Sequence, residues 1–218
     1  MTTQSDFDRL EMEINVDADS TSKLKKTPVA RQQHLTKNLR LKIALPLVLI
    51  GIAWAQESID QFFFGGSFNM AISPGGPLWG VFTAPFSHAD WGHLIRNTLW
   101  FLPLSYLVLL NGLNHYLAVW GCVIASKLLI LFLWPRGGHG MSGVVYGLLG
   151  YLFAIGLVER RFISVGLTVF AFVAYAGALP SLLPWVSPEG VSWVGHFMGF
   201  VAGVVAALGM FREARKSA

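Results

Sequence analysis

Along the chain, polar and charged residues dominate up to Asn38 and then give way to long apolar runs that begin at Leu39. Six runs follow, at about 41–57, 92–111, 113–134, 142–158, 162–182 and 190–210. Each approaches the roughly 20 residues an α-helix needs to cross about 30 Å of hydrocarbon at 1.5 Å per residue. The second and third are separated only by Asn111, Gly112 and their neighbours, which predicts a tight helical hairpin rather than one long helix. The expected fold is an all-α polytopic membrane protein with six transmembrane helices. A flexible cytoplasmic N-terminal tail is expected over 1–38, a six-helix membrane domain over 39–211 and a short cytoplasmic C-terminal tail over 212–218. The first tail lacks the basic start and apolar core of a secretory signal, so cleavage on export is not expected.

The connection over about 58–91 carries no Lys or Arg and is rich in Phe, Gly and Trp. A solvent-exposed loop would be more polar, so a structured outer loop is expected. Its Phe62, Phe63, Phe64, Trp79, Phe82 and Phe86 would pack at the membrane interface or against the bundle. Composition agrees: 54% of residues are hydrophobic, and the 23 glycines raise the apolar share to roughly 65%, against about 45–50% in soluble proteins. A single cysteine, Cys122, excludes an internal disulfide framework, a Cys-rich zinc site and a Cys-ligated iron–sulfur cluster.

The net charge of +4 is not a nucleic-acid signal, because it hides an ordered pattern. Asp6, Asp8, Glu11, Glu13, Asp17 and Asp19 precede Lys23, Lys25, Lys26, Arg31, Lys37, Arg40 and Lys42, an order suited to a tail ending at an anionic membrane surface. With the N-terminus inside, the cytoplasmic segments hold every base except Arg96, Lys127 and Arg136, so both termini are expected in the cytoplasm. Membrane lipids are the expected surroundings. The expected location is integral to a bacterial inner (plasma) membrane.

Polar chemistry interrupts the apolar chain at three places. The first, Ser87 to Asn97, stands at the outer entrance of the second span; His93 and Asn97 are four apart and share a helix face. The second, Gly137 to Gly143, leads from an outer loop into the fourth span. There Gly140 and Gly143 flank the Met141-Ser142 pair, and a helix start leaves amide N–H groups free for an anion. The third, in the sixth span, sets His196 on a face continued by Gly199 and Gly203, which lets that helix press closely on a neighbour. Spans two, four and six all run from outside to inside, so His93, Asn97, Ser142 and His196 fall within roughly the outer 10 Å of the membrane.

A serine hydroxyl attacks a carbonyl only when a base takes its proton, and a neutral histidine is the usual partner near pH 7. No span supplies a carboxylate to orient that imidazole: Asp90 lies at a loop edge, and Glu57 and Asp60 flank the first span. A Ser142–His196 dyad is therefore the economical mechanism. Asn97, the ring of His93 and the backbone N–H of Ser142 could then stabilise the oxyanion. Taken singly, each feature has a plainer reading: Gly and Ser as helix packing, His196 as an interhelical hydrogen bond, His93 with Asn97 as a structural clamp. A zinc site of His88, His93 and His196 lacks a supporting carboxylate or thiol.

Together these residues resemble the rhomboid family of intramembrane serine proteases. His88, His93 and Asn97 match its His-x4-His-x3-Asn pattern, Gly140-Met141-Ser142-Gly143 its Gly-x-Ser-Gly, and Gly195-His196 with Gly199 and Gly203 its last helix. The resemblance spans about 40–210 and implies a rhomboid-like bundle. Ser142 would be nucleophile, His196 general base and then acid, and His93 and Asn97 oxyanion donors, with no metal or cofactor. It further implies a wet cavity below the membrane surface and cleavage of single-span proteins near the outer end of their helix. His88 would line the cavity or order water. The chain has Trp79-Gly80 where the family often has Trp-Arg, so an arginine anchor is absent from the outer loop. Two other classes stand beside this reading: a non-proteolytic protein that binds transmembrane clients, and a small transporter, for which no charged pathway or internal repeat is evident.

Overall fold

The computed structural model describes residues 28–73, 75–133, 137–186 and 192–216. The chain divides at Leu41 and Lys42 into two units, the second of which holds the helix bundle. The expected N-terminal tail falls largely outside the described residues. In chain order the elements are α1 (Pro28–Phe63), α2 (Gly80–Thr83), a 3-10 turn (Ala84–Phe86), α3 (Trp91–Asn111) and α4 (Leu113–Leu133). They continue with α5 (Ser142–Glu159), α6 (Phe162–Tyr175), a 3-10 segment (Ala176–Leu182) and α7 (Trp193–Lys216). Among the described residues six helical stretches are long and apolar enough to cross a membrane, in the order the hydropathy pattern predicts.

The boundaries differ from the apolar pattern at several helix ends: α1 already begins at Pro28, inside the expected tail, and α7 runs on to Lys216. α1 runs on to Phe63 rather than stopping near residue 57, because Ile59, Phe62 and Phe63 continue an apolar helix until Gly65 and Gly66, both at positive φ, turn the chain. The fifth span loses α-helical pitch at Ala176 and finishes as a 3-10 segment that contains Pro180. The break between α3 and α4 is the expected hairpin, with Gly112 at φ 127°.

α5 is the axis of the bundle: 72% of its span is buried, against 17–39% for the others. Small residues let its neighbours close on it. A Cβ at Gly199 would stand 2.2 Å from the Gly143 carbonyl oxygen, and one at Gly203 would stand 1.9 Å from that of Gly147, so α7 lies backbone to backbone on α5. α1 is tied to α3 by Trp54 Nε1 donating to Thr98 Oγ1 (3.1 Å) and by Tyr106 donating to the Ile43 carbonyl (3.1 Å). α1 and α6 leave most of their apolar side chains exposed, the surface that lipid would cover.

The connection before α3 is structured, as expected, by polar side chains and one backbone bridge rather than by an arginine. Asp60 Oδ1 accepts from the Phe68 amide (2.6 Å), Gln56 Nε2 donates to the Phe68 carbonyl (2.9 Å), and Ser87 Oγ accepts from the Met70 amide (3.1 Å). Ile72 and Gly138 exchange two backbone hydrogen bonds of 2.9 Å, pinning the loop to the segment before Ser142. Gly80 presses on Ala71, whose carbonyl oxygen would lie 2.9 Å from a Cβ, so an arginine would not fit there without a shift. Phe86 stacks on Trp120 at 6.3 Å, whereas Phe62, Phe63, Phe64, Trp79 and Phe82 are exposed at the loop surface.

Candidate active site

Three helix starts build the site. Asp90 caps α3, its Oδ1 accepting from the His93 amide at 2.7 Å, and this sets His93 in the first turn with Asn97 one turn below. Ser192 caps α7 by accepting the Gly195 amide (3.2 Å) on its hydroxyl and the His196 amide (3.2 Å) on its carbonyl. α5 begins at Ser142 itself. Gly140, at φ 107°, makes the turn into α5, and its amide donates to the Ala84 carbonyl at 2.7 Å. A Cβ on Gly140 would collide with the His93 ring at 2.8 Å and stand 3.8 Å from Asn97 Nδ2, so the glycine is seated on both.

One cavity of about 460 Å³ is lined by Ser142, His196, His93, Gly140, His139 and Lys127, among others. Among the described residues the Ser142 side chain and its amide have no hydrogen-bond partner, the amide because the first residue of a helix has no carbonyl one turn back. His196 is held on two sides. Its ring stacks on Tyr146, with centroids 4.2 Å apart and planes at 24°, and its Nδ1 lies 3.4 Å from the Ser181 carbonyl. A carbonyl only accepts, so this contact favours the tautomer with the proton on Nδ1 and the lone pair on Nε2. Tyr146 in turn bonds Ser181 through their hydroxyls, and Ser181 donates to the Ala178 carbonyl at 2.7 Å.

Asn97 is buried, and among the described residues its Nδ2 has no hydrogen-bond partner. It stands behind Gly140 rather than on the cavity wall. His88 does not line that cavity either, so of the cavity or supporting place expected for it, its position is the supporting one. It is fully buried behind His93, ring centroids 5.1 Å apart, and its Nε2 accepts from the Met141 amide at 3.4 Å. Burial, and then the neighbouring His93, push the His88 imidazole down to about 4, so it stays neutral and able to accept. His139 is also held below the ordinary histidine range, by burial and then by the charge of Lys127.

Sequence reasoning missed Tyr146, Ser181 and the place of His139. Tyr146 lies four residues after Ser142 and so on the same helix face, a spacing that marks it; nothing local marks Ser181. Gly199 and Gly203 bring α7 onto the carbonyls of Gly143 and Gly147 in α5. Among the described residues no cluster of three or more His, Cys, Asp or Glu is placed to hold a metal ion.

Residues 75–213 match the Rhomboid domain family. The chain is 36% identical over 184 residues to an uncharacterized protein of Mycobacterium tuberculosis, covering 78% of this chain and 76% of that one. It is 35% identical over 182 residues to an uncharacterized protein of Mycobacterium leprae, covering 78% and 72%. It is 25% identical over 172 residues to rhomboid protease GlpG of Salmonella paratyphi A, covering 75% of this chain and 53% of GlpG. With that match running through all three polar clusters, this six-span chain belongs to the rhomboid family.

Proposed function

We propose that the chain is an intramembrane serine endopeptidase that cleaves membrane proteins in or near the outer end of a transmembrane helix. The observation that carries this reading is the shared cavity of Ser142 and His196, with His196 braced on its far side by Tyr146 and Ser181. The Ser142 oxygen attacks the peptide carbonyl carbon as His196 Nε2 takes its proton. The Tyr146 ring supports the imidazolium that forms. Negative charge on the tetrahedral oxygen meets the free Ser142 amide and the His93 ring, with Asn97 behind Gly140 reaching it on a small shift. His196 returns its proton to the departing amine, and water then releases the acyl group by the reverse sequence. No cofactor enters these steps. The partners are transmembrane substrates within a lipid bilayer.

The test is cleavage of a panel of single-span substrates by purified protein in liposomes, read by product mass. Ser142→Ala and His196→Ala should each lower turnover by at least ~10³-fold, and Asn97→Ala by ~10²–10³-fold. If folded wild-type protein cleaves nothing, yet binds the same helices as tightly as Ser142→Ala does, client binding without proteolysis is the function.

A further inference from the structure

The dyad leaves one wall of the cavity unused. α4 contributes Val123, Ser126, Lys127 and Ile130 to it. Lys127 is only 8% exposed, and among the described residues its ammonium has neither a hydrogen bond nor an opposite charge beside it. Asp90, which lines the same cavity, and Asp60 each accept one backbone amide and keep their charge, but neither acts on Lys127 as a counter-ion. Arg96, His93, His139 and His196, which share the cavity, offer Lys127 no negative charge.

The lysine stem passes over the start of α5, where a Cβ on Gly143 would stand 3.9 Å from Lys127 Cε. The end of the Lys127 side chain therefore lies beside the residue that follows Ser142, on the wall of the cavity that Ser142 also lines. A buried cation without a counter-ion is costly, and most ammonium groups escape by reaching water. This one faces a cavity, so an anion brought in with the substrate would remove the cost. Side-chain carboxylates are the anions an unmodified peptide carries along its length.

We propose that Lys127 is a specificity residue that receives the side-chain carboxylate of an Asp or Glu near the scissile bond. The inference rests on the Ser142–His196 reading of the same cavity. In the catalytic cycle Lys127 transfers no proton; it forms a charge-assisted hydrogen bond in a site screened from water.

The experiment scans Asp, and its uncharged isostere Asn, through the four positions on each side of the cut in a single-span substrate, using the full chain in liposomes. At one position wild type should favour Asp over Asn in kcat/KM by about 10-fold or more, the scale of a charge-assisted bond. Lys127→Met should bring that ratio to near one, Lys127→Arg should retain most of it, and Lys127→Glu should reverse it and favour Lys at the same position. Because the readout is a ratio within one enzyme, it does not depend on the variants' absolute activity. A wild-type ratio near one at all positions overturns the proposal without any variant. So does a ratio unchanged in Lys127→Met, or loss of all cleavage in all three variants while Ser142 still reacts with a fluorophosphonate. Wild type that neither cleaves nor labels at Ser142 marks failure of the protease reading instead.

Discussion

His88 shows how a polar residue can matter to a site without touching it. Its Nε2 accepts the amide of Met141, the residue that precedes Ser142, and its ring backs the ring of His93. Protonation would turn that acceptor into a donor facing an N–H. The folded state keeps the imidazole neutral down to about 4, whereas an unfolded histidine binds a proton near its ordinary 6.5. Between those values the unfolded chain carries the extra proton, so stability falls as pH falls through the window and levels off below it for this group. The full difference is ~3 kcal/mol. Thermal unfolding in detergent should therefore weaken from pH 7 to pH 4.5, and His88→Asn should show a shallower dependence despite a lower midpoint at pH 7. His139, held low in the same way, contributes slope in both proteins and cancels in the comparison. Equal slopes would remove His88 from this account.

At the scale of elements, the placement of His196 against Ser142 depends on how closely α7 lies on α5. The contact is made by Gly199 on Gly143 and by Gly203 on Gly147, where an added methyl would stand 2.2 Å and 1.9 Å from a carbonyl oxygen. Backbone cannot move aside as a side-chain tip can, so the helices would have to separate and His196 would move with α7. Gly199→Ala and Gly203→Ala should each cost ~1–3 kcal/mol, lowering the unfolding midpoint by roughly 3–10 °C. Cleavage should fall with it. Gly209 lies on the same helix with nothing within 4 Å of an added Cβ. Gly209→Ala should leave the midpoint unchanged or raise it slightly, since alanine is the better helix former. A comparable loss at Gly209 would mean that helix propensity, not close packing, governs the series.

Over the whole molecule, the six spans of the described residues bring the two ends of the membrane domain to one side, and the excess of Lys and Arg there is the ground for proposing that this side is the cytoplasm. Reporter fusions that are active only in the cytoplasm should be active at either terminus and silent when inserted between Gly75 and Pro77. Activity at one terminus alone would refute the six-span topology. The same topology aligns the starts of α3, α5 and α7 on one face of the membrane, so three residue clusters far apart in sequence open into one cavity.

What the sequence determined by itself is what can be read along one strand of chain. Span length and polarity are local properties that add residue by residue, and they defined the six helices and their order. Glycine at the turns and on one face of α7 was legible for the same reason. The tertiary structure decided what no single segment carries. It set Ser181 and Tyr146 behind His196, placed His88 as a support under Met141, anchored the loop before α3 by hydrogen bonds from Gln56, Asp60 and Ser87 and turned Lys127 toward the start of α5. These outcomes depend on lateral approach between helices. That approach is governed by the fit of surfaces distant in sequence, so hydropathy and spacing along one segment do not encode it.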